Sequence, residues 1–185
     1  MNIQGNIQPT IQIAFEADTI KARQPWDRSS LPFVFEEFFL GNVAASGFFE
    51  DRFGNVRRRF SAEVRGHIED KTLILQEDFR FDNGEDQQVR WTIDRDRRGN
   101  YQGTSNSIVG KALGKKSMDI VRWVYRVSIP VGRFSLLCRC SDVFYQQTET
   151  VVLNRTKLRK FGFLIGEITI VFQKTPDRKY WSRFR

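Results

Sequence analysis

The chain has 185 residues, 40% apolar and 28% charged, with a net charge of +8; this is the make-up of a single soluble globular domain long enough to bury a sizeable core. No run approaches the roughly 18 consecutive apolar residues with which a helix crosses a bilayer. The basic residues are spread along the chain and often alternate with acids, as in Asp94-Arg95-Asp96-Arg97-Arg98, with no recognition helix, zinc finger or aromatic RNA-binding signature, so no specific nucleic-acid partner is expected.

Residues 1–30 read as a polar N-terminal extension broken at Gly5, Pro9 and Pro25, in which Ile11, Ile13 and Phe15 alternate like a short edge strand. Residues 31–174 read as the folded domain. Leu31 to Phe39 carries Phe33, Phe35, Phe38 and Phe39 and fits either a strand or one amphipathic helical turn. Nine strands are then expected, at Ala44–Asp51, Val56–Ile68, Thr72–Asp82, Gln87–Asp94, Tyr101–Ile108, Ile120–Pro130, Arg133–Tyr145, Thr150–Leu158 and Phe163–Lys174. Turns separate them at 52–55, Glu69-Asp70, 82–84, 98–100 and 130–132. Asn83-Gly84 is the best hairpin signal, because a type I′ turn needs positive φ at both central residues. Short strands at hairpin spacing, with almost no helical period, predict an all-β meander that closes into a barrel or a sandwich; a single antiparallel up-and-down β-barrel with short helical pieces at most is favoured, since closure removes exposed edges. Residues 175–185 form a basic aromatic tail.

Four charged residues interrupt apolar strand faces. Arg58 shares a face with Phe60, Ala62 and Val64, and Glu77 with Leu75, Phe79 and Phe81. Asp142 falls in line with Cys138, Cys140 and Phe144, and Glu167 breaks the apolar run Phe163–Phe172. Buried charges cost several kcal/mol unless paired, so an internal network is expected, with Arg58 and Glu77 as partners. Such a network can be functional or purely structural. Cys138 and Cys140 sit two apart on one strand face, too far for an unstrained bridge, and read as reduced core thiols. A C-x-C metal half-site lacks two further ligands, and the only histidine, His67, lies on a polar face, so no metal or cofactor is expected. Gly103, Gly110 and Gly114 are spaced like bends in a sheet and not like a phosphate-binding loop.

Asp51-Arg52-Phe53-Gly54 running into Arg58-Arg59-Phe60, then Leu75-x-Glu77-Asp78-Phe79 and Asp82-x-Gly84-Glu85, resembles the uncharacterised bacterial family called domain of unknown function 3833. Arg90-Trp91, Tyr101-x-Gly103, Val109-Gly110-x-Ala112-x-Gly114, Trp123-x-Tyr125, Asn154-Arg155-Thr156, Lys160-Phe161-Gly162 and Gly166-Glu167 continue the resemblance from about Phe38 to Lys174. It implies a lipocalin-like (calycin-type) barrel without an established activity. Members of that family are usually envelope lipoproteins. Here Met1 to Asp18 lacks a secretory signal and no cysteine precedes Cys138, so the sequence as written reads as cytoplasmic unless its start lies upstream. An aspartate pair usual in the family stands here as Ser141-Asp142.

Three functional readings follow. The first is a barrel binding an apolar or amphipathic small molecule such as a fatty acid or lipid, with Arg58 at its head group, Glu77 and Asp142 as further polar contacts, and Phe60, Phe79, Phe81, Trp91, Trp123 and Tyr125 lining the apolar part. The second is an enzyme acting on a small lipid-like substrate, with Glu77 or Asp142 as general base and Arg58 stabilising negative charge; the residues favour binding over catalysis, since no nucleophile–histidine arrangement is visible. The third is a membrane-surface accessory protein whose tail, with Tyr180, Trp181 and Phe184 among Arg178, Lys179, Arg183 and Arg185, touches anionic lipid.

Overall fold

Strand-period alternation leaves each hairpin with one apolar face, and the chain buries those faces by closing the sheet on itself. The computed structural model describes residues 33–117, 120–131 and 133–175; the extension at 1–30, its short strand at Ile11, Ile13 and Phe15, and all of the tail beyond Thr175 lie outside them. A short helix, α1 (Phe35–Phe39), precedes β1 (Gly41–Asp51), β2 (Val56–Glu69), β3 (Thr72–Phe81), β4 (Asp86–Arg95), β5 (Asn100–Ser105), β6 (Ala112–Ser117), β7 (Ile120–Val131), β8 (Phe134–Gln146), β9 (Val151–Lys160) and β10 (Phe163–Lys174). Each strand pairs antiparallel with the next, and β1 pairs with β10, so the described residues form a closed ten-strand up-and-down barrel.

All nine expected strands are present, with ends shifted by a few residues. The tenth, β6, escaped the sequence reading because its inward face carries almost no side chain. A Cβ on Gly114 would lie 2.9 Å from the Trp123 indole, so the bulk that fills this part of the interior comes from β7. The Phe33–Phe39 stretch resolves as coil and helix rather than strand.

The turns also differ from expectation. Asn83 does not have positive φ. In the Asp82–Glu85 loop only Gly84 does (φ 83°), with the Gly84 N–H donating to the Phe81 carbonyl (3.0 Å) and the Phe81 N–H to the Glu85 carbonyl (2.9 Å). This is a longer loop ending in a left-handed glycine, not a two-residue type I′ turn. The tight turns with two left-handed residues are instead Phe161-Gly162 (φ 51° and 85°) and Asp70-Lys71 (φ 46° and 75°), the latter containing no glycine to signal it.

The turns at 52–55, 82–85, 106–111 and 161–162 lie at one end of the barrel, with the β7–β8 connection. The other end is closed by α1. Phe35, Phe38 and Phe39 are buried there, with the Phe35 ring 5.7 Å from both Tyr101 and Trp123 and 5.2 Å from Phe144. The Tyr101 hydroxyl donates to Glu36 (2.8 Å), and Arg95 pairs with the same carboxylate (3.1 Å). The helix presses so closely on β2 that a Cβ on Gly66 would lie 1.9 Å from the Phe39 carbonyl oxygen. Packing at this end includes Val43, Val64, Leu73, Ile93, Val121, Val152 and Phe172, all buried.

Candidate functional site

Above this packed floor the interior opens into a cavity of about 330 Å³. Phe35 and Phe39 of the plug lie at its base, and the wall includes Phe60, Phe79, Phe81, Trp91, Trp123 and Tyr125, together with Glu77 and Asp142. Eight of the nine residues singled out from sequence therefore share one cavity; the ninth, Arg58, is not in its wall. The strand period found them because each lies on the inward face of a regular strand.

Glu77 on β3 and Asp142 on β8 come from strands five places apart around the ten-strand ring, that is, from opposite walls. Asp142 accepts a hydrogen bond from the Tyr125 hydroxyl at Oδ2 (3.0 Å), while its buried Oδ1 has no partner among the described residues. The indole Nε1 of Trp123, also in the cavity wall, is equally without a partner. Burial pushes the Asp142 carboxyl up to about 7, against the lowering effect of Thr156 and Tyr125. Burial likewise pushes Glu77 up to about 7; the Trp91 indole opposes this, and the charge of Asp142 reinforces it. Burial and the Asp142 charge hold the Tyr125 phenol well above its usual range. The two carboxyls are thus poised to donate or accept a hydrogen bond, and to exchange a proton, near neutral pH.

Arg58 does lie on the inward face of β2, but at the rim. Val64 stands opposite Glu77, and six residues of strand separate Val64 from Arg58, roughly 20 Å. The expected Arg58–Glu77 pair therefore does not exist. Arg58 pairs with Glu85, donates to Asn83 Oδ1 (3.2 Å) and stacks its guanidinium 3.8 Å from the centroid of Phe81. Face parity aligned the two charges correctly but carried no information on their height along the barrel. Glu167 faces outward, where it pairs with Arg155 (2.5 Å) and Lys157 (3.7 Å) of β9; the four-membered internal network reduces to two carboxyls. His67 is on the outer face beside Glu69 (2.7 Å), and Cys138 and Cys140 are buried free thiols. Among the described residues no group of three His, Cys, Asp or Glu is placed to hold a metal.

Asn154 and Thr156, 2% and 3% exposed, were not chosen from sequence, yet they line the cavity beside Asp142. Thr156 Oγ1 donates to Asn154 Oδ1 (3.2 Å), and Asn154 Nδ2 to the Val143 carbonyl (3.4 Å). The available signal was the face Val152, Asn154, Thr156, Leu158, in which two uncharged polar residues sit between apolar ones.

A comparison with curated proteins returns no match. Among solved structures, the S-type phycobiliprotein lyase CPES from Guillardia theta superposes with a TM-score of 0.54 at 8% identity, over 78% of this chain and 92% of that one. At that identity the likeness is one of fold, and it agrees with the closed lipocalin-like barrel described above. The match between residues 15–174 and a family model covers most of the sequence, and on it the chain belongs to the family of proteins of unknown function DUF3833.

Proposed function

We propose that the barrel binds one small apolar molecule, of lipid type, through a neutral hydrogen-bonding end held by Asp142. The observation that carries this reading is the unpartnered Asp142 Oδ1, buried in the wall of an aromatic-lined cavity large enough for such a ligand. A buried acceptor without a partner is costly, and a hydroxyl or amide N–H from a ligand would satisfy it. Resemblance to a lipocalin-like fold supports a ligand-holding interior. The ligand's head would sit at Asp142, Tyr125 and Glu77, with Phe60, Phe79 and Phe81 around its apolar part.

A fatty acid is the second reading, favoured by Arg58 at the rim. Its carboxylate would face two carboxyls if it entered head-first, so it would bind only with its head outward, in competition with Glu85 for Arg58. Titrating delipidated protein with dodecanol, dodecanamide and dodecanoate, followed by tryptophan fluorescence and melting temperature, separates the two. The first reading expects the alcohol and amide to bind best and Asp142→Leu to weaken both by about tenfold or more. Preferential binding of dodecanoate, abolished by Arg58→Met, would replace it with the second. Silence from all three ligands would dismiss both.

A further inference from the structure

Large apolar side chains are normally withdrawn from water, yet four phenylalanines here are nearly bare. Phe161 is 87% exposed, Phe134 82%, and Phe53 and Phe163 73% each; no other large apolar residue among those described exceeds 61%. They are not scattered. Phe53 is in the β1–β2 turn, Phe161 and Phe163 flank Gly162 in the β9–β10 turn, and Phe134 opens β8. All four therefore stand at the end of the barrel opposite α1, and the strand order β1-β10-β9-β8 makes their turns neighbours. Direct contacts tie the turns together: the Arg52 N–H donates to the Ile165 carbonyl (3.1 Å), and Lys160 Nζ to the Leu137 carbonyl (2.8 Å).

The same rim is basic. Arg52 lies 4.7 Å from the Phe53 ring centroid and Lys160 4.4 Å from that of Phe161, so each tip pairs an aromatic ring with a cation. Arg133 adjoins Phe134, and Arg159 adjoins Lys160. Among the described residues none of these four cations is in an ion pair; of the acids along this rim, Asp51 pairs with Arg57, Glu85 with Arg58, and Glu167 with Arg155 and Lys157, which leaves Glu50, opposite Glu167 in the β1–β10 register, as an acid without an ion pair beside the four free cations.

We infer that this rim is a membrane-docking surface, on which Phe53, Phe134, Phe161 and Phe163 enter the interface of an anionic phospholipid bilayer while Arg52, Arg133, Arg159 and Lys160 meet its phosphates. Apolar tips alone would suit a protein partner as well; it is their interleaving with unpaired cations that matches a surface apolar below and negatively charged above. The inference is independent of what the barrel interior holds, and it concerns a different part of the chain from the basic aromatic tail.

Co-sedimentation of the full chain with phosphatidylglycerol–phosphatidylcholine vesicles tests it. Binding is expected to the anionic vesicles, to weaken with salt, and to fall by about tenfold or more in the variant F53S/F134S/F161S/F163S, which keeps the tail. The side chains are solvated, so the variant's melting temperature should match that of the parent. An environment-sensitive fluorophore on Phe161→Cys should shift to the blue on anionic vesicles, while one on Lys71→Cys at the opposite end should not; the native thiols are buried. Undiminished vesicle binding by the quadruple variant overturns the inference, as does an unshifted label at position 161. A shift at 161 that grows with protein concentration without vesicles would also overturn it, in favour of a second copy of the chain on this face.

Discussion

Glu77 and Asp142 face the same cavity from opposite walls of the barrel, and burial holds both carboxyls up to about 7. In the unfolded chain the same groups titrate near 4. Between about pH 4 and 7 the native state therefore binds more protons than the unfolded state, and stability falls as pH rises through that window. It levels off above about 7, where both states are ionised. Melting temperature measured from pH 4 to 8 should show this decline, and Glu77→Gln with Asp142→Asn should flatten it. A tenfold difference in proton affinity between the two states is worth about 1.4 kcal/mol, so the slope should be easily measured.

Tyr125 supplies the hydrogen bond that restrains Asp142. Tyr125→Phe removes the partner of Oδ2 while Oδ1 is already without one. The expected cost is about 1–3 kcal/mol, read by urea unfolding at pH 8. Because that hydrogen bond lowers the Asp142 value, its loss should also move the carboxyl's titration midpoint upward, measurable by carboxyl-carbon NMR.

A double-mutant cycle between Arg58 and Glu77 should give a coupling energy within about 0.5 kcal/mol of zero, since roughly 20 Å of strand separates them. Arg58→Met alone should cost no more than about 1 kcal/mol through its stacking on Phe81. A strong coupling would mean that the two side chains meet inside the barrel, contrary to the register of β2 on β3.

Gly66→Ala tests the plug. The added methyl would overlap the Phe39 carbonyl, which is backbone and cannot yield by rotation. Destabilisation of at least about 2 kcal/mol is expected in chemical denaturation, with quenching of Trp123 altered as α1 shifts. By contrast, Lys71→Gly should stabilise by about 0.5–1 kcal/mol, because glycine adopts the left-handed conformation of the Asp70-Lys71 turn without a steric penalty.

Alternation along β2, β3, β7 and β8 was enough to establish an all-β chain, to favour closure, and to assign the inward residues Phe60, Phe79, Trp123, Tyr125 and Asp142, because side-chain direction in a strand follows from sequence parity alone. Parity is silent about height and about which strand stands opposite. Those depend on register and closure, which set Arg58 at the rim beside Glu85, turned Glu167 outward to Arg155, and brought Glu77 and Asp142 together across the interior. β6 escaped, and the left-handed conformation of the turn expected at Glu69-Asp70 and found at Asp70-Lys71 went unread, for a related reason. A strand whose buried inward residues are only Ala112 and Gly114, and a left-handed turn without glycine, take their conformation from the neighbours that pack and pair with them, and those neighbours are assembled only when the barrel closes.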